Sequence, residues 1–224
     1  QLSDSLFSEL NNGENLILSF DGEKSQFIRF NHATVRQTGL VDDADLSLKF
    51  IVNNRSVHGG FTVSGNFDTD LARGKSEIDR MRLEAQEIPK DPFVVFPENA
   101  GSSHEVKTAD SLPFETAVDA LLPAMSGVDF VGIWANGRMF RGNANNLGQK
   151  HWFETESFSL DYSLVTPEHQ MVKGSFAGND WHQAEYESYV RRSREKLSLM
   201  ERKPVKIDTG EYRTWFESAA VADF

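Results

Sequence analysis

The chain has 224 residues, a formal net charge of −11 at pH 7 and no cysteine. This length is sufficient for one large domain or two smaller ones with packed cores. The negative charge argues against nucleic-acid binding, and the absence of cysteine excludes disulfides, thiolate metal sites and thiol nucleophiles. The chain has no run of about 18 apolar residues, so we expect no membrane span, and the missing cysteines favour a cytoplasmic location.

The first 88 residues predict one α+β unit. Residues 3–11 have the pattern of a short helix, and Asp68 is predicted to cap a longer helix that ends near residue 87. Asp21-Gly22 and Asn53-Asn54 are predicted to form hairpin turns, because Asn, Asp and Gly tolerate positive φ. The strands predicted between the two helices are 15–20, 25–30, 34–38, 44–53 and 55–64. The sheet is therefore expected to be mostly antiparallel.

The linker predicted at residues 89–112 contains three prolines, a Gly-Ser-Ser run and one short strand at residues 93–96. A second α+β unit follows at residues 113–203, with Asn136-Gly137 as its clearest hairpin turn. Its helices are predicted at 113–125 and 181–201, and its strands at 130–135, 138–144, 149–155, 156–165 and 170–177. Residues 204–224 predict a strand at 210–216 and then a helix that begins near Ser218. This last segment is expected to start a truncated C-terminal domain.

The two units resemble each other in sequence. Gly22 corresponds to Gly137 and Gly65 to Gly178, so the offset between the units is 115 residues at one point and 113 at another. A repeat of this length is a whole supersecondary unit rather than a short solenoid module. The sequence therefore predicts two duplicated units, each a mostly antiparallel sheet with flanking helices.

The histidines and serines of the chain form no common catalytic or metal-binding motif. The six histidines never occur at i,i+4 spacing, and the sequence has no His-Glu-x-x-His and no Gly-x-Ser-x-Gly motif. His151 and Glu154 lie three residues apart in a predicted strand, where such positions face opposite sides. We therefore predict no catalytic residue, no metal ligand and no cofactor in this chain.

The most polar strand segments occupy corresponding positions in the two units. Their amide and guanidinium side chains could belong to turns and solvated sheet edges, or they could contact the backbone of an extended peptide. The candidate peptide-binding residues are Arg29, Asn31, Arg36 and Gln37 in the first unit and Arg141, Asn143, Asn145 and Gln149 in the second. Neither interpretation is excluded by the sequence.

Three segments resemble the TldD/PmbA family. They are R-F-N-x-A-x-V-R-Q at residues 29–37, G-x-x-F-R-G-N-A-N-x-L-G-Q at residues 137–149, and T-G-E-Y-R-T-W-F-E-S-A-A-V-A-D-F at residues 209–224. The last segment is similar to the one that introduces the C-terminal catalytic domain of that family. The resemblance extends over the whole chain in the order and spacing of its segments.

The resemblance implies a subunit of a zinc-dependent protease that cuts small or unfolded peptides. Family members form homodimers or heterodimers of TldD-type and PmbA-type subunits and are also described as modulators of DNA gyrase. Their zinc motif, His-Glu-x-x-x-His with a later cysteine, does not occur here. Zinc is therefore expected only elsewhere in a full-length protein or in a partner subunit.

The main hypothesis is that the chain is the N-terminal, non-catalytic portion of such a subunit, a scaffold and one wall of a peptide channel. The alternative is a freestanding binding or assembly protein with no protease context. Direct binding to DNA or to gyrase is disfavoured by the net charge of −11. The sequence does not distinguish a TldD-type from a PmbA-type subunit.

Overall fold

The computed structural model describes residues 1–96, 101–222 and 224, with no side-chain description at position 219. The elements within these residues are α1 (Leu2–Phe7), β1 (Glu14–Asn31), β2 (Thr34–Val52), β3 (Arg55–Thr62), α2 (Phe67–Glu87), β4 (Ser102–Lys107), α3 (Phe114–Met125), β5 (Asp129–Asn145), β6 (Lys150–Val165), β7 (Met171–Gly178), α4 (Gln183–Met200) and α5 (Ser218–Ala222). The fold is α+β, as the sequence predicts.

The described strands form one continuous sheet of seven strands. The order is β3-β2-β1-β5-β6, and the far side of β6 pairs with β4 along one half and with β7 along the other. Every pairing is antiparallel except that of β4 with β6. The predicted, mostly antiparallel sheet is confirmed.

The same order of elements occurs on both sides of the β1–β5 pairing. In the first half the order is a helix, two long strands, a short strand and a second helix (α1-β1-β2-β3-α2). The same order recurs in the second half as α3-β5-β6-β7-α4. Read outward from the β1–β5 pairing, the sheet order is β1-β2-β3 in one direction and β5-β6-β7 in the other. This arrangement is compatible with the predicted duplication, which stays a prediction.

Two predicted hairpin turns are wrong. Gly22 lies inside β1 and pairs with Ala44 and Phe140 on its two neighbouring strands. Gly137 likewise lies inside β5 and pairs with Ser25 and Ser157. Hydrogen bonds from strands on both sides hold these positions extended, so tertiary pairing overrides the local turn preference.

Two other positions form the tight turns of the first half. His32 and Ala33 have φ of 49° and 53°, and they join β1 to β2. Asn53 and Asn54 have φ of 50° and 58° and join β2 to β3, which confirms the predicted turn. Two consecutive left-handed residues are typical of the two-residue hairpin whose twist matches that of the strands.

The cores lie on one face of the sheet, in two clusters under different helices. In the first cluster Leu16, Leu18 and Leu48 pack against α1 and α2. In the second cluster Ile28 and Trp134 pack against α3 and α4. The strand β1 therefore contributes buried side chains to both clusters.

The start of α2 differs in detail from the prediction. Asn66, rather than Asp68, is the N-cap residue, and its side chain accepts a hydrogen bond from the backbone N–H of Thr69 at 3.0 Å. Asp70 is buried one turn further on. Asn is as good an N-cap as Asp, so composition alone does not fix the first residue of this helix.

The linker and the tail also depart from the prediction. Residues 93–96 form no strand, and the strand of this segment is β4. Residues 97–100, inside the predicted linker, are outside the described residues. The predicted strand at 210–216 does not form, because these residues pair with no other described strand. The predicted helix at Ser218 is present as α5, and residue 223 is not among those described.

Candidate functional site

One face of the sheet carries no helix among the described residues. Side chains in a strand alternate between the two faces, and the even positions Leu16, Leu18, Ile28 and Phe30 of β1 are buried under the helices. The odd positions of β1, with the residues of other strands that pair with them, therefore form the opposite side. We call this side the open face.

Most of the predicted peptide-binding residues lie on the open face. Arg141 pairs in register with Asp21, and Asn143 pairs with Ser19, all at odd positions. Arg29 pairs with Gln37, and the register then shifts by one residue, so that Arg36 lies in a β-bulge. A bulge redirects side chains relative to regular strand alternation.

Arg141 and Asn143 line a depression of about 370 Å³, here called the Arg141 depression. The Nε of Arg141 lies 2.9 Å from Oδ1 of Asp21, and the amide of Asn143 donates to Oγ of Ser19 at 3.4 Å. Arg141 and Asp21 are both at least half exposed, so solvent screens this ion pair. Both predicted side chains are thus accessible to a ligand on the open face.

Sequence reasoning missed a serine and histidine pair at the rim of the Arg141 depression. The Oγ of Ser103 lies 2.8 Å from Nδ1 of His151, across the parallel pairing of β4 with β6. A nucleophilic serine needs a base that is itself oriented by a third group. No described carboxylate bonds to the other ring nitrogen of His151, so this pair is best explained as a contact that holds β4 on β6.

Arg29, Asn31 and Arg36 line a second depression of about 450 Å³, here called the Arg29 depression. Asp161 and Lys173 complete its charged rim, and neither was selected from the sequence. Lys173 lies at an odd position of a predicted strand, but only the combined registers of β1, β5, β6 and β7 show that it lies on the same face of the sheet as Arg29.

The structure does not bring the two predicted groups into one groove. On β1, the register partner of Arg141 is Asp21, which is eight residues from Arg29. At about 3.3 Å per residue in a strand, this separation is about 26 Å. The predicted residues therefore form two separate polar regions on the open face.

Asn145 and Gln149 stabilise the turn between β5 and β6. The side-chain oxygen of Asn145 accepts hydrogen bonds from the backbone N–H groups of Leu147 and Gln149, at 3.0 and 3.1 Å. Its amide donates to the side-chain oxygen of Gln149 at 2.9 Å. Asn145 is buried, so its placement supports the structural interpretation of this pair, and its contact with a peptide stays a prediction.

A cavity of about 770 Å³ lies on the helix side of the sheet, and we call it the Trp152 cavity. The ring of Trp152 stacks on Phe20 with ring centres 5.5 Å apart, and α1 lies at the cavity mouth. Nζ of Lys150 contacts Oδ1 of Asp4 at 2.5 Å and so ties α1 to β6. The hydrogen bond from Lys150 lowers the pKa of Asp4 below its ordinary value.

The described residues provide no ligand set for a metal ion. No three side chains of His, Asp or Glu are grouped within the described part of the chain in a way that could hold one. Zinc, which the TldD/PmbA resemblance implies for the full-length protein, therefore does not fit the residues seen here. In the same part of the chain, no helix has both the length and the apolar character needed to cross a bilayer.

The chain resembles known proteins in its fold. No family profile and no curated protein sequence matches the chain. Among solved structures, the chain resembles a proposed modulator of DNA gyrase from Thermotoga maritima, with 15% identity and a TM-score of 0.65. The similarity covers 92% of this chain and 49% of that protein.

Two further structures show the same fold. TldE from Thermococcus kodakarensis is 13% identical, with a TM-score of 0.66, over 88% of this chain and 47% of TldE. A proposed modulator of DNA gyrase from Bacteroides thetaiotaomicron is 14% identical, with a TM-score of 0.65, over 94% of this chain and 51% of that protein. The chain thus spans about half the length of each similar protein. The resemblance predicted from the sequence is confirmed at the level of the fold.

Proposed function

We propose that this chain is the N-terminal scaffold and peptide-channel portion of a TldD/PmbA-like metalloprotease subunit and is non-catalytic by itself. The observation that carries the proposal is the shared fold with TldE and with two proposed gyrase modulators, over about half of their length. The absence of the His-Glu-x-x-x-His motif from the sequence agrees with a non-catalytic role.

The open face supports a role in contacting peptides. Its central strands are paired on both sides, so their backbone groups are already hydrogen-bonded and a ligand must be contacted through side chains. Arg141 and Asn143 place guanidinium and amide donors over the Arg141 depression, where they can bind backbone carbonyl groups of an extended peptide. A rigid sheet holds such donors in place at little entropic cost.

We further propose that the chain acts in a cytoplasmic homodimer, or in a heterodimer with a TldD-type or PmbA-type subunit. Small or unfolded peptides are the proposed substrates, and zinc is expected in the remainder of the full-length protein or in the partner subunit. The sequence resemblance supports these assignments.

The first experiment measures zinc content and peptide hydrolysis of the purified chain, alone and mixed with a TldD-type subunit. We expect no bound zinc and no cleavage from the chain alone, and co-elution of a peptide-cleaving complex in the mixture. Stoichiometric zinc with activity lost on chelation would overturn the non-catalytic assignment. Failure to associate with that subunit or with a second copy would favour a freestanding binding protein.

The second experiment tests Arg141 in the assembled, peptide-cleaving complex. Replacing Arg141 by Ala removes a charged hydrogen-bond donor worth about 1.5–3 kcal/mol, so we expect peptide cleavage at limiting substrate to fall more than tenfold. The melting temperature should change little, because an exposed ion pair contributes only about 0–1 kcal/mol.

Asp21→Ala is the matched control, because it removes the same ion pair and keeps the guanidinium. We expect this variant to retain cleavage. Equal losses of cleavage in the two variants, or a melting temperature that falls together with cleavage, would show that Arg141 is structural.

A further inference from the structure

The Arg29 depression is lined by basic side chains that have no ion-pair or hydrogen-bond partner among the described residues. Ten Lys and Arg residues lie on the strands, and six of them form an ion pair or donate a hydrogen bond to another described group. The four without such a partner among the described residues are Arg29, Arg36, Lys49 and Lys173. Three of these four line the Arg29 depression. This concentration occurs in a chain whose net charge is −11.

The strand register fixes how these charges are arranged. Arg29 lies on β1 next to Ile133 on β5, and Ile133 lies next to Asp161 on β6. The next row of paired residues on this face, two residues further along the strands, runs through Val131 on β5 and Ser163 on β6 and ends at Lys173 on β7. Arg29 and Lys173 are thus three strands and two residues apart, about 14 Å across the strands at about 4.8 Å per strand and about 7 Å along them. They stand on opposite sides of a depression that lies over β5 and β6.

The floor between these charges is apolar. Val131 and Ile133 leave 38% and 37% of their surface exposed to solvent, on a strand, β5, whose residues Phe130 and Trp134 are buried on the helix side. Burying such side chains under a ligand is favourable, at about 25 cal/mol per Å². A suitable ligand therefore combines an anionic group with an apolar group next to it.

Asp161 restricts the charge of that ligand. Its carboxylate faces the same depression and forms no ion pair with any described residue. It would repel a dense polyanion but can accept a hydrogen bond from a peptide N–H. The overall negative charge also disfavours the approach of nucleic acid. A single carboxylate on a peptide satisfies both conditions.

We infer that the Arg29 depression binds an acidic peptide segment, with its carboxylate held by Arg29 and Arg36, a neighbouring apolar side chain placed on Val131 and Ile133, and Lys173 attracting the carboxylate from the far side of the depression. The choice of a peptide as ligand rests on the proposed function. Planar guanidinium groups bind carboxylates with two parallel hydrogen bonds, which gives Arg29 and Arg36 an advantage over lysine at this site.

The test is a calorimetric titration of the chain with the peptide Ala-Leu-Glu-Leu-Ala, acetylated and amidated at its ends. The same peptide with Gln in place of Glu should bind at least tenfold more weakly. Arg29→Gln and Arg36→Gln should each weaken binding of the Glu peptide about tenfold, and Lys173→Gln should weaken it less, with unchanged melting temperature in all three variants. Arg29→Lys should bind the Glu peptide more tightly than Arg29→Gln and more weakly than the unchanged chain. It keeps the positive charge but loses the two parallel hydrogen bonds of the guanidinium group.

Lys49→Gln is the matched control for net charge. Lys49 also has no partner in the described part of the chain and lies at an odd position of its strand, but its register neighbour on β1 is Ile17, twelve residues from Arg29. We expect this variant to bind the Glu peptide like the unchanged chain. An equal loss of affinity in Lys49→Gln and Arg29→Gln would overturn the site.

Other outcomes would also overturn the inference. These are equal binding of the Glu and Gln peptides, no binding of the Glu peptide at millimolar concentration, and competition by inorganic phosphate at an affinity equal to that of the Glu peptide. A Gln peptide with a free C-terminal carboxylate separates a terminal carboxylate from a side-chain one, and tight binding of that peptide alone would contradict the assignment. The assay requires no cleavage, so the depression and the protease role can fail independently.

Discussion

Asp70 is a buried carboxylate that organises the connection between β3 and α2. It accepts hydrogen bonds from the backbone N–H and Oγ of Ser64, at 2.9 and 2.7 Å, and from the N–H of Gly65 at 3.0 Å. Burial opposes ionisation, but these hydrogen bonds, with the charge of Arg73, lower the pKa of Asp70 below its ordinary value of 3.8. The charged form is therefore the one that stabilises the fold.

We predict that Asp70→Asn destabilises the protein by about 1.5–3 kcal/mol at pH 7, because it replaces a charged acceptor with a neutral amide. A depressed pKa stabilises the folded state above the unfolded value, and this contribution is lost as the pH falls through the folded pKa. The difference between the variant and the unchanged chain should therefore shrink below about pH 4. Urea unfolding at a series of pH values measures it.

The control is Asp68→Asn, two residues earlier in the same helix turn. Asp68 is exposed and interacts mainly with the helix dipole, which is worth about 0.3–1 kcal/mol. Equal losses of stability for the two variants at pH 7 would contradict the role given to Asp70. The sequence shows two acids in this turn but not which of them is buried, because burial depends on how α2 packs against the sheet.

Elements were predictable where the pattern of apolar residues is local. The alternation from Leu46 to Val52 lies in β2 as expected, and the helices α2, α3 and α4 lie close to their predicted positions. The lengths of β1 and β5 were not predictable, because Asp21-Gly22 and Asn136-Gly137 have the composition of turns. Their extended conformation depends on pairing with strands distant in sequence, which no local pattern reports.

Gly137 is required by the close approach of β1 and β5 rather than by a turn. A Cβ at this position would lie against the backbone of Lys24 and Ser25, closer than real Cβ atoms come to other atoms. We predict that Gly137→Ala destabilises the protein by about 1–3 kcal/mol or more, because the strands must separate. Denaturant unfolding measures this loss.

Gly39→Ala is the matched control for this substitution in the same sheet. Its Cβ would meet the ring of Phe27 at 2.5 Å, and a side chain can turn away where backbone cannot. We expect a smaller loss of stability for Gly39→Ala than for Gly137→Ala. A larger loss of stability for Gly39→Ala than for Gly137→Ala would contradict the role given to the close approach of β1 and β5.

At the scale of the whole molecule, β1 links the two cores. It contributes Leu16 and Leu18 to the core under α1 and α2, and Ile28 and Phe30 to the core under α3 and α4. A continuous strand that is paired on both sides cannot lose one half of its contacts without weakening the other. We therefore expect the described sheet and its helices to unfold in one cooperative transition.

Tryptophan fluorescence allows this to be tested in a Trp152→Phe background, where Trp134 and Trp181 report on the second core. Trp152 is removed because it stacks on Phe20, which packs against the first core, and Trp215 is exposed. Leu48→Ala removes a buried side chain from the first core and should cost about 2–5 kcal/mol. If the two cores unfold together, this variant lowers the denaturant midpoint of tryptophan fluorescence as much as that of circular dichroism. Leu160→Ala in the second core is the control and should shift both signals. A fluorescence midpoint unchanged by Leu48→Ala would mean that the second core unfolds independently of the first.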